Sequence, residues 1–150
     1  EKVLETLSKA GVINLVNDYA EIEVEGQTIY IAGVDDAMVG NDDLNELLTV
    51  MPDDIPAILL AHEPDFADTA ADTDRFFLQL SGHSHAGQII LPFIGTPLRG
   101  PWFKKYPVGM YRVKNMVQYT NRGVGTNAFR FRINCKPEIT SITLHGTSVN

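Results

Sequence analysis

Three of the four histidines follow apolar segments and are spaced as metal ligands would be. His83 and His85 form a His-x-His pair after the apolar residues 76–80, and His62 follows the apolar residues 58–61. In an extended chain, side chains two residues apart point to the same side, with α-carbons about 6.6 Å apart, so two such imidazoles can hold one metal ion or serve two neighbouring ions. Because imidazole binds zinc, manganese and iron, the three histidines predict a site for divalent metal ions. An isolated pair of this kind also arises by chance, and His62 could equally be a structural histidine at a strand end.

Other polar residues could contribute to such a site. Asp35 and Asp36 are candidates for metal ligands, or for carboxylates that accept a hydrogen bond from the second ring nitrogen of a ligating histidine. The same pair is also typical of a solvated acidic turn. Arg122 and Gly123 offer a cation and a flexible backbone that could contact phosphate, although the strand-to-helix context of a P-loop is missing. His145 has no partner nearby in sequence, which predicts a surface histidine.

The predicted secondary structure would bring these residues to the ends of strands, where loops of α/β proteins carry their sites. An opening helix is expected to end at Gly11, a second to begin at Asn41–Asp43 and end before Pro52, and a short third to lie within 65–74. Periodicity and turn residues predict strands over 12–16, 20–24, 27–32, 55–61, 76–80, 109–113, 116–120, 130–134 and 139–145.

Length, composition and charge exclude several classes of protein. The 150 residues, 44% hydrophobic and 21% charged, are typical of one folded soluble domain, and no apolar run is long enough to span a bilayer. The net charge of −7 argues against a general nucleic-acid binder, and the one cysteine cannot form an internal disulfide. Residues 76–150 hold nine bases and one acid, which is typical of a solvated charged face but also leaves this half available to an anionic ligand.

Two motifs carry a resemblance to a known family. Residues 59–65 (Leu-Leu-Ala-His-Glu-Pro-Asp) and 80–88 (Leu-Ser-Gly-His-Ser-His-Ala-Gly-Gln) resemble the C-terminal half of the calcineurin-like metallophosphoesterases. The Gly-His-x-His sequence at 82–85 is similar to the last metal motif of that family, and His62 to the motif before it. Segments 32–36 and 121–126 resemble a bacterial branch that includes UDP-2,3-diacylglucosamine pyrophosphatase-like enzymes. The resemblance implies an α+β fold, the β-rich C-terminal half of an αββα sandwich.

The first three motifs of that family are absent from the sequence. The sequence contains none of Asp-x-His, Gly-Asp-x-x-Asp and Gly-Asn-His. Gly40–Asp43 is superficially similar to the third motif but lacks its histidine. We therefore expect residues 1–150 to form a single partial metallophosphoesterase domain of a longer enzyme. The resemblance implies that this enzyme hydrolyses a phosphodiester or pyrophosphate with a hydroxide activated by two divalent ions of Mn, Zn or Fe. His62 and His83 would bind one ion and His85 the other. No catalytic residue is assigned to this chain, and we expect it to be inactive alone.

The resemblance also implies partners. The expected substrate is a phosphorylated small molecule or a nucleotide-lipid, and no nucleic acid is expected. Half of a sandwich leaves apolar strands uncovered, so the chain should pair with its N-terminal half or with a second copy. The expected location is the cytoplasm or the membrane periphery of a bacterium. Two alternatives are a non-catalytic binding or oligomerisation module with relic histidines, and a mononuclear hydrolase of non-phosphate esters.

Overall fold

A single mixed sheet forms the centre of the molecule. The computed structural model describes residues 2–127 and 130–146. Six strands form the sheet in the order β1-β2-β3-β4-β6-β5, and β2, β3, β4 and β6 run parallel while the outer pairs are antiparallel hairpins. The strands are β1 (Asp18–Val24), β2 (Gln27–Gly33), β3 (Ala57–Leu60), β4 (Phe76–Ser81), β5 (Gly109–Val113) and β6 (Met116–Thr120). Four strands therefore end at one edge, and the β-rich fold that the sequence predicts is confirmed.

The two hairpins form where the sequence predicts them. Val24 pairs with Gln27 across the turn Glu25-Gly26, and both turn residues have positive φ, +52° and +76°. Two positive φ values define the type I′ turn, whose twist matches that of the flanking strands. The β5–β6 hairpin also closes with two residues, with Val113 opposite Met116, but of its turn residues only Lys114 has a positive φ, +51°.

The helices are few and short. They are α1 (Lys2–Lys9), α2 (Leu44–Val50) and α3 (Ala67–Ala71), the last preceded by a 3-10 turn at Pro64–Phe66. The side chain of Asp43 accepts a hydrogen bond from Glu46 N at 2.9 Å, so it caps α2 as the sequence predicts. No helix of the described residues is long and apolar enough to cross a membrane.

The two faces of the sheet differ in how they are covered. One face packs on α2 and α3, and Leu47, Leu59 and Phe66 are buried there. The opposite face, called here the second face, carries the register partners Ile58, Leu60, Leu78, Leu80, Val117, Tyr119 and Met110. Leu60 and Met110 are exposed, so this face keeps apolar surface in contact with water.

Three of the predicted strands are wrong. Residues 12–16 form no strand; Leu15 instead lies so close to Gly33 that a Cβ there would meet its carbonyl oxygen at 2.2 Å. Within 130–134 only Ile133 makes a bridge, to Ile89, and residues 139–145 pair with no strand of the described chain. Ile142 and Leu144 line a cavity with residues of the second face. Their alternation therefore reflects packing onto a sheet and not pairing within it.

Candidate metal centre

The carboxyl ends of the parallel strands bring the predicted site residues to one edge of the sheet. His62 follows β3, and His83 follows β4. Hydrogen bonds continue beyond the strands themselves, from Ala61 N to Leu80 O at 3.2 Å and from Gly82 N to His62 O at 3.1 Å. Backbone hydrogen bonds between the two segments therefore fix the chain as far as His62 and the residue before His83.

His62 and His83 meet at this edge. Their ring centroids are 5.2 Å apart with the rings almost perpendicular, and the His62 ring lies against Gly82. One ligand atom from each of His62, Glu63 and His83 lies within 4.8 Å of the other two. Two imidazoles and a carboxylate are a donor set that suits zinc, manganese or iron. The residues present therefore fit a divalent metal ion.

Glu63 strengthens this fit, and the sequence analysis did not single it out. The residue is 1% exposed, and its Oε2 accepts from Ala37 N at 3.3 Å. Its Oε1 is buried and has no hydrogen-bond partner among the described residues. An ionised carboxylate in such a place is costly unless a cation compensates it. Glu63 directly follows His62, and neighbours in an extended chain point to opposite sides, so no spacing rule signals it.

A carbonyl fixes the orientation of the His83 ring. Nε2 of His83 lies 3.2 Å from Pro101 O, and a carbonyl can only accept, so Nε2 carries the proton and donates it. The ring of Phe103 packs on His83 with centroids 5.4 Å apart. Ligating histidines commonly donate their second ring nitrogen in this way, which leaves Nδ1 of His83 as the ring nitrogen that could accept a metal ion.

His85 lies beside the His62–Glu63–His83 group and not within it. Its ring is half-buried and lines a cavity together with that of His83. Burial, with the nearby Arg132 cation, lowers the pKa of His85 and so favours the neutral imidazole. The neutral form is the one that binds metal ions.

The loop that carries these histidines has a strained backbone. His83, His85, Ala86 and Gln88 all have φ between +46° and +61°, a region that side chains with a Cβ rarely adopt. Ser84 Oγ supports the turn by accepting from Ala86 N at 3.0 Å. Strain of this kind costs of order 1–3 kcal/mol per residue and persists mainly at functional sites.

The predicted aspartates lie in a loop that uses their oxygens. Asp35 Oδ1 accepts from Asp36 N, and Asp36 Oδ1 accepts from Met38 N and Val39 N at 2.9 and 3.2 Å. These contacts give Asp36 the role of a turn residue. A further role of Asp35 and Asp36 at the metal centre stays a prediction.

The predicted phosphate contacts already have partners within the chain. Arg122 Nε pairs with Glu138 Oε2 at 2.6 Å, and Gly123 N donates to Asn121 Oδ1 at 2.6 Å. A hydrogen bond from Tyr119, helped by the Arg122 cation, lowers the pKa of Glu138 and keeps it ionised. Phosphate binding by Arg122 and Gly123 therefore stays a prediction that requires exchange with these partners. His145 is exposed, as predicted.

A strap of residues 98–106 borders the centre, and the side chain of Asp65 binds its backbone. The carboxylate of Asp65 accepts from the backbone N–H groups of Lys104, Lys105 and Tyr106 at 2.8, 3.0 and 3.2 Å. Asp65 N donates in turn to Trp102 O at 2.9 Å. Because Asp65 follows His62 by three residues, it ties the strap, with Pro101 and Phe103, to the strand end that carries the first histidine.

Comparison with known proteins gives several matches in sequence and none to a family model or a solved structure. The chain is 43% identical over 133 residues to the uncharacterized metallophosphoesterase YkuE of Bacillus subtilis, covering 88% of this chain and 46% of that protein. It is 31% identical over 140 residues to the phosphodiesterase YaeI of Escherichia coli, covering 93% and 50%. A transmembrane protein with metallophosphoesterase domain of Danio rerio is 34% identical over 152 residues, covering 93% and 34%. The chain spans half or less of the length of these relatives.

Proposed function

This chain belongs to the calcineurin-like metallophosphoesterase family, and we propose that it is the C-terminal half of a metal-dependent phosphoesterase domain. In this proposal His62 and His83 bind one divalent ion and His85 binds a second. The observation that carries it is the meeting of the His62 and His83 rings, 5.2 Å apart, beside the buried and unpartnered Glu63 oxygen. Membership of the branch that includes UDP-2,3-diacylglucosamine pyrophosphatase-like enzymes stays a prediction.

The residues of this chain would bind the metal ions and orient the ligating rings. The metal ions would supply the activation of the phosphoryl group and of water. Bound divalent ions polarise phosphoryl oxygens and lower the pKa of water in sites of this type. The hydrogen bond from His83 Nε2 to Pro101 O would hold the ring in the tautomer that offers Nδ1 to the ion. Glu63 would balance part of the ionic charge. A phosphodiester is the favoured substrate class, because one relative is named a phosphodiesterase.

Removal of metal tests this function directly. We expect full-length protein treated with a chelator to lose turnover of bis-p-nitrophenyl phosphate about 100-fold or more, and to regain it with Mn²⁺ or Zn²⁺. The reason is that the proposal gives the histidines and Glu63 the role of metal ligands and leaves the activation to the metal ions. Unchanged turnover after exhaustive chelation would contradict the proposal. Ester hydrolysis without phosphodiester hydrolysis would favour a mononuclear esterase, and neither metal nor turnover would favour a binding module.

We further propose that residues outside this sequence cover the second face and complete the metal ligands. The relatives are at least twice as long as the matched region, and Leu60 and Met110 expose apolar surface on this face. A sheet face of this composition ordinarily packs against another layer.

The isolated 150-residue chain is therefore expected to behave differently from the full-length protein. It should bind an apolar dye such as ANS and self-associate in light scattering, because its second face is exposed at Leu60 and Met110. The full-length protein should do neither to the same extent. A monodisperse isolated chain that binds no more dye than the full-length protein would show that the second face needs no further layer.

A further inference from the structure

A cavity of about 370 Å³ opens beside the candidate metal centre. One wall is the loop after β4, which presents His83 and His85, and the opposite wall is the strap, which presents Leu98, Arg99 and Phe103. Cavities of this size hold small molecules. His83 and His85 both line the cavity, so the ester group of a phosphate bound at these two histidines would be next to it.

The strap wall is apolar where it faces the cavity. Leu98 is 47% exposed, and the ring of Phe103 lies half-buried on the ring of His83. An exposed leucine and a phenylalanine next to polar histidines form an apolar surface. Its burial by an apolar group of a ligand would lower the free energy of the complex. A planar ring fits best, because it can stack against Phe103.

Arg99 adds a positive charge to the same cavity. Its guanidinium donates to two backbone carbonyls, from Nε to Thr96 O just before the strap at 3.3 Å and from Nη1 to Lys104 O within it at 2.9 Å. These bonds hold the cation at the cavity wall. The cavity therefore offers charge for an anion and apolar surface for the group attached to it.

The strap is packed into place before any ligand arrives. A Cβ at Gly87 would lie 2.5 Å from Leu98 O, and a Cβ at Gly100 would lie 2.7 Å from Phe103 Cε1. The lack of a side chain at Gly87 thus permits the close approach of the two walls, and its lack at Gly100 lets the ring of Phe103 pack on the strap itself. Asp65 fixes the far end of the strap. A preformed site binds with less loss of conformational freedom.

We infer that this cavity selects phosphoesters that carry an aryl group, with Leu98 and Phe103 as the residues that determine specificity. The inference rests on the proposed function, because it takes the phosphate to be held at the metal centre. It assigns the strap to recognition of the ester group, and the histidines to the phosphate.

Binding of two phosphonates to the full-length, metal-loaded protein tests the inference without turnover. Isothermal titration should show that phenylphosphonate binds about tenfold more tightly than methylphosphonate, since only the phenyl ring reaches the apolar wall. The Leu98→Ser variant should reduce that preference at least about threefold and leave methylphosphonate affinity within about twofold. Phe103→Leu, which keeps an apolar side chain next to His83, should also reduce it because ring stacking is lost.

Val50→Ser is the matched control. The exposed fraction of Val50, 50%, is similar to the 47% of Leu98. Val50 lies at the end of α2 and does not line the cavity. It should keep the wild-type preference. Equal affinity of the two phosphonates in wild-type protein, or an unchanged preference in Leu98→Ser, would overturn the inference. Phosphonate discrimination without any phosphodiester hydrolysis would support the cavity and contradict only the proposed function.

Discussion

Replacement of His83 by alanine is expected to lower phosphodiester turnover of the full-length protein about 1000-fold and to reduce its bound metal. His83 is the residue on which the site geometry converges. Its ring meets that of His62, its Nε2 is fixed by Pro101 O, and the ring of Phe103 packs on it. Metal content by mass spectrometry and turnover of bis-p-nitrophenyl phosphate measure the two effects.

Two further variants make this result specific. His85→Ala should also lose metal, because the neutral ring of His85 is proposed to bind the second ion. His145→Ala should keep wild-type metal content and turnover, since His145 is exposed and does not belong to the His62–Glu63–His83 group. Equal metal content in all three variants, each shown to be folded by circular dichroism, would refute the ligand assignment.

The meeting of His62 and His83 could be predicted from sequence because it depends on local rules. Each histidine directly follows a short apolar strand, and the carboxyl ends of parallel strands share one edge of a sheet. The hairpin turns were equally predictable, since Glu25-Gly26 accepts the two positive φ values that a two-residue connection requires. In each case, the pattern that predicts the feature lies in the residues directly beside each histidine or each turn.

The contribution of Glu63 and the course of the strap could not be predicted, because they depend on contacts between distant segments. Glu63 faces Ala37, which lies 26 residues away in sequence, and Asp65 binds backbone groups some 40 residues away. Backbone N–H groups carry no sequence signature. The strand predicted over 139–145 failed for a related reason, since alternation reveals an apolar side but not whether the segment pairs or packs.

Asp65→Ala is expected to lower the free energy of unfolding by about 2–4 kcal/mol and to weaken metal binding about tenfold or more. The carboxylate is the shared acceptor of three strap N–H groups, which lose a charged partner in the variant. The strap carries Pro101, so its release also frees the ring of His83. Urea unfolding of the full-length protein measures the first effect. Titration with Mn²⁺ at a temperature where the variant is fully folded measures the second.

Asp68→Asn separates this positioning role from a general loss of stability. Asp68 lies on α3 and contacts the side chains of Lys105 and Tyr106, the latter at 2.8 Å, but none of the strap N–H groups that Asp65 binds. The pair with Lys105 is largely exposed, so its loss should cost about 1 kcal/mol or less and leave metal affinity unchanged. Asp65→Asn, which keeps one acceptor oxygen, should fall between wild type and Asp65→Ala in both measurements. Metal affinity that declines equally in the Asp65 and Asp68 variants would mean that the strap does not position His83, because Asp65, unlike Asp68, binds the strap backbone.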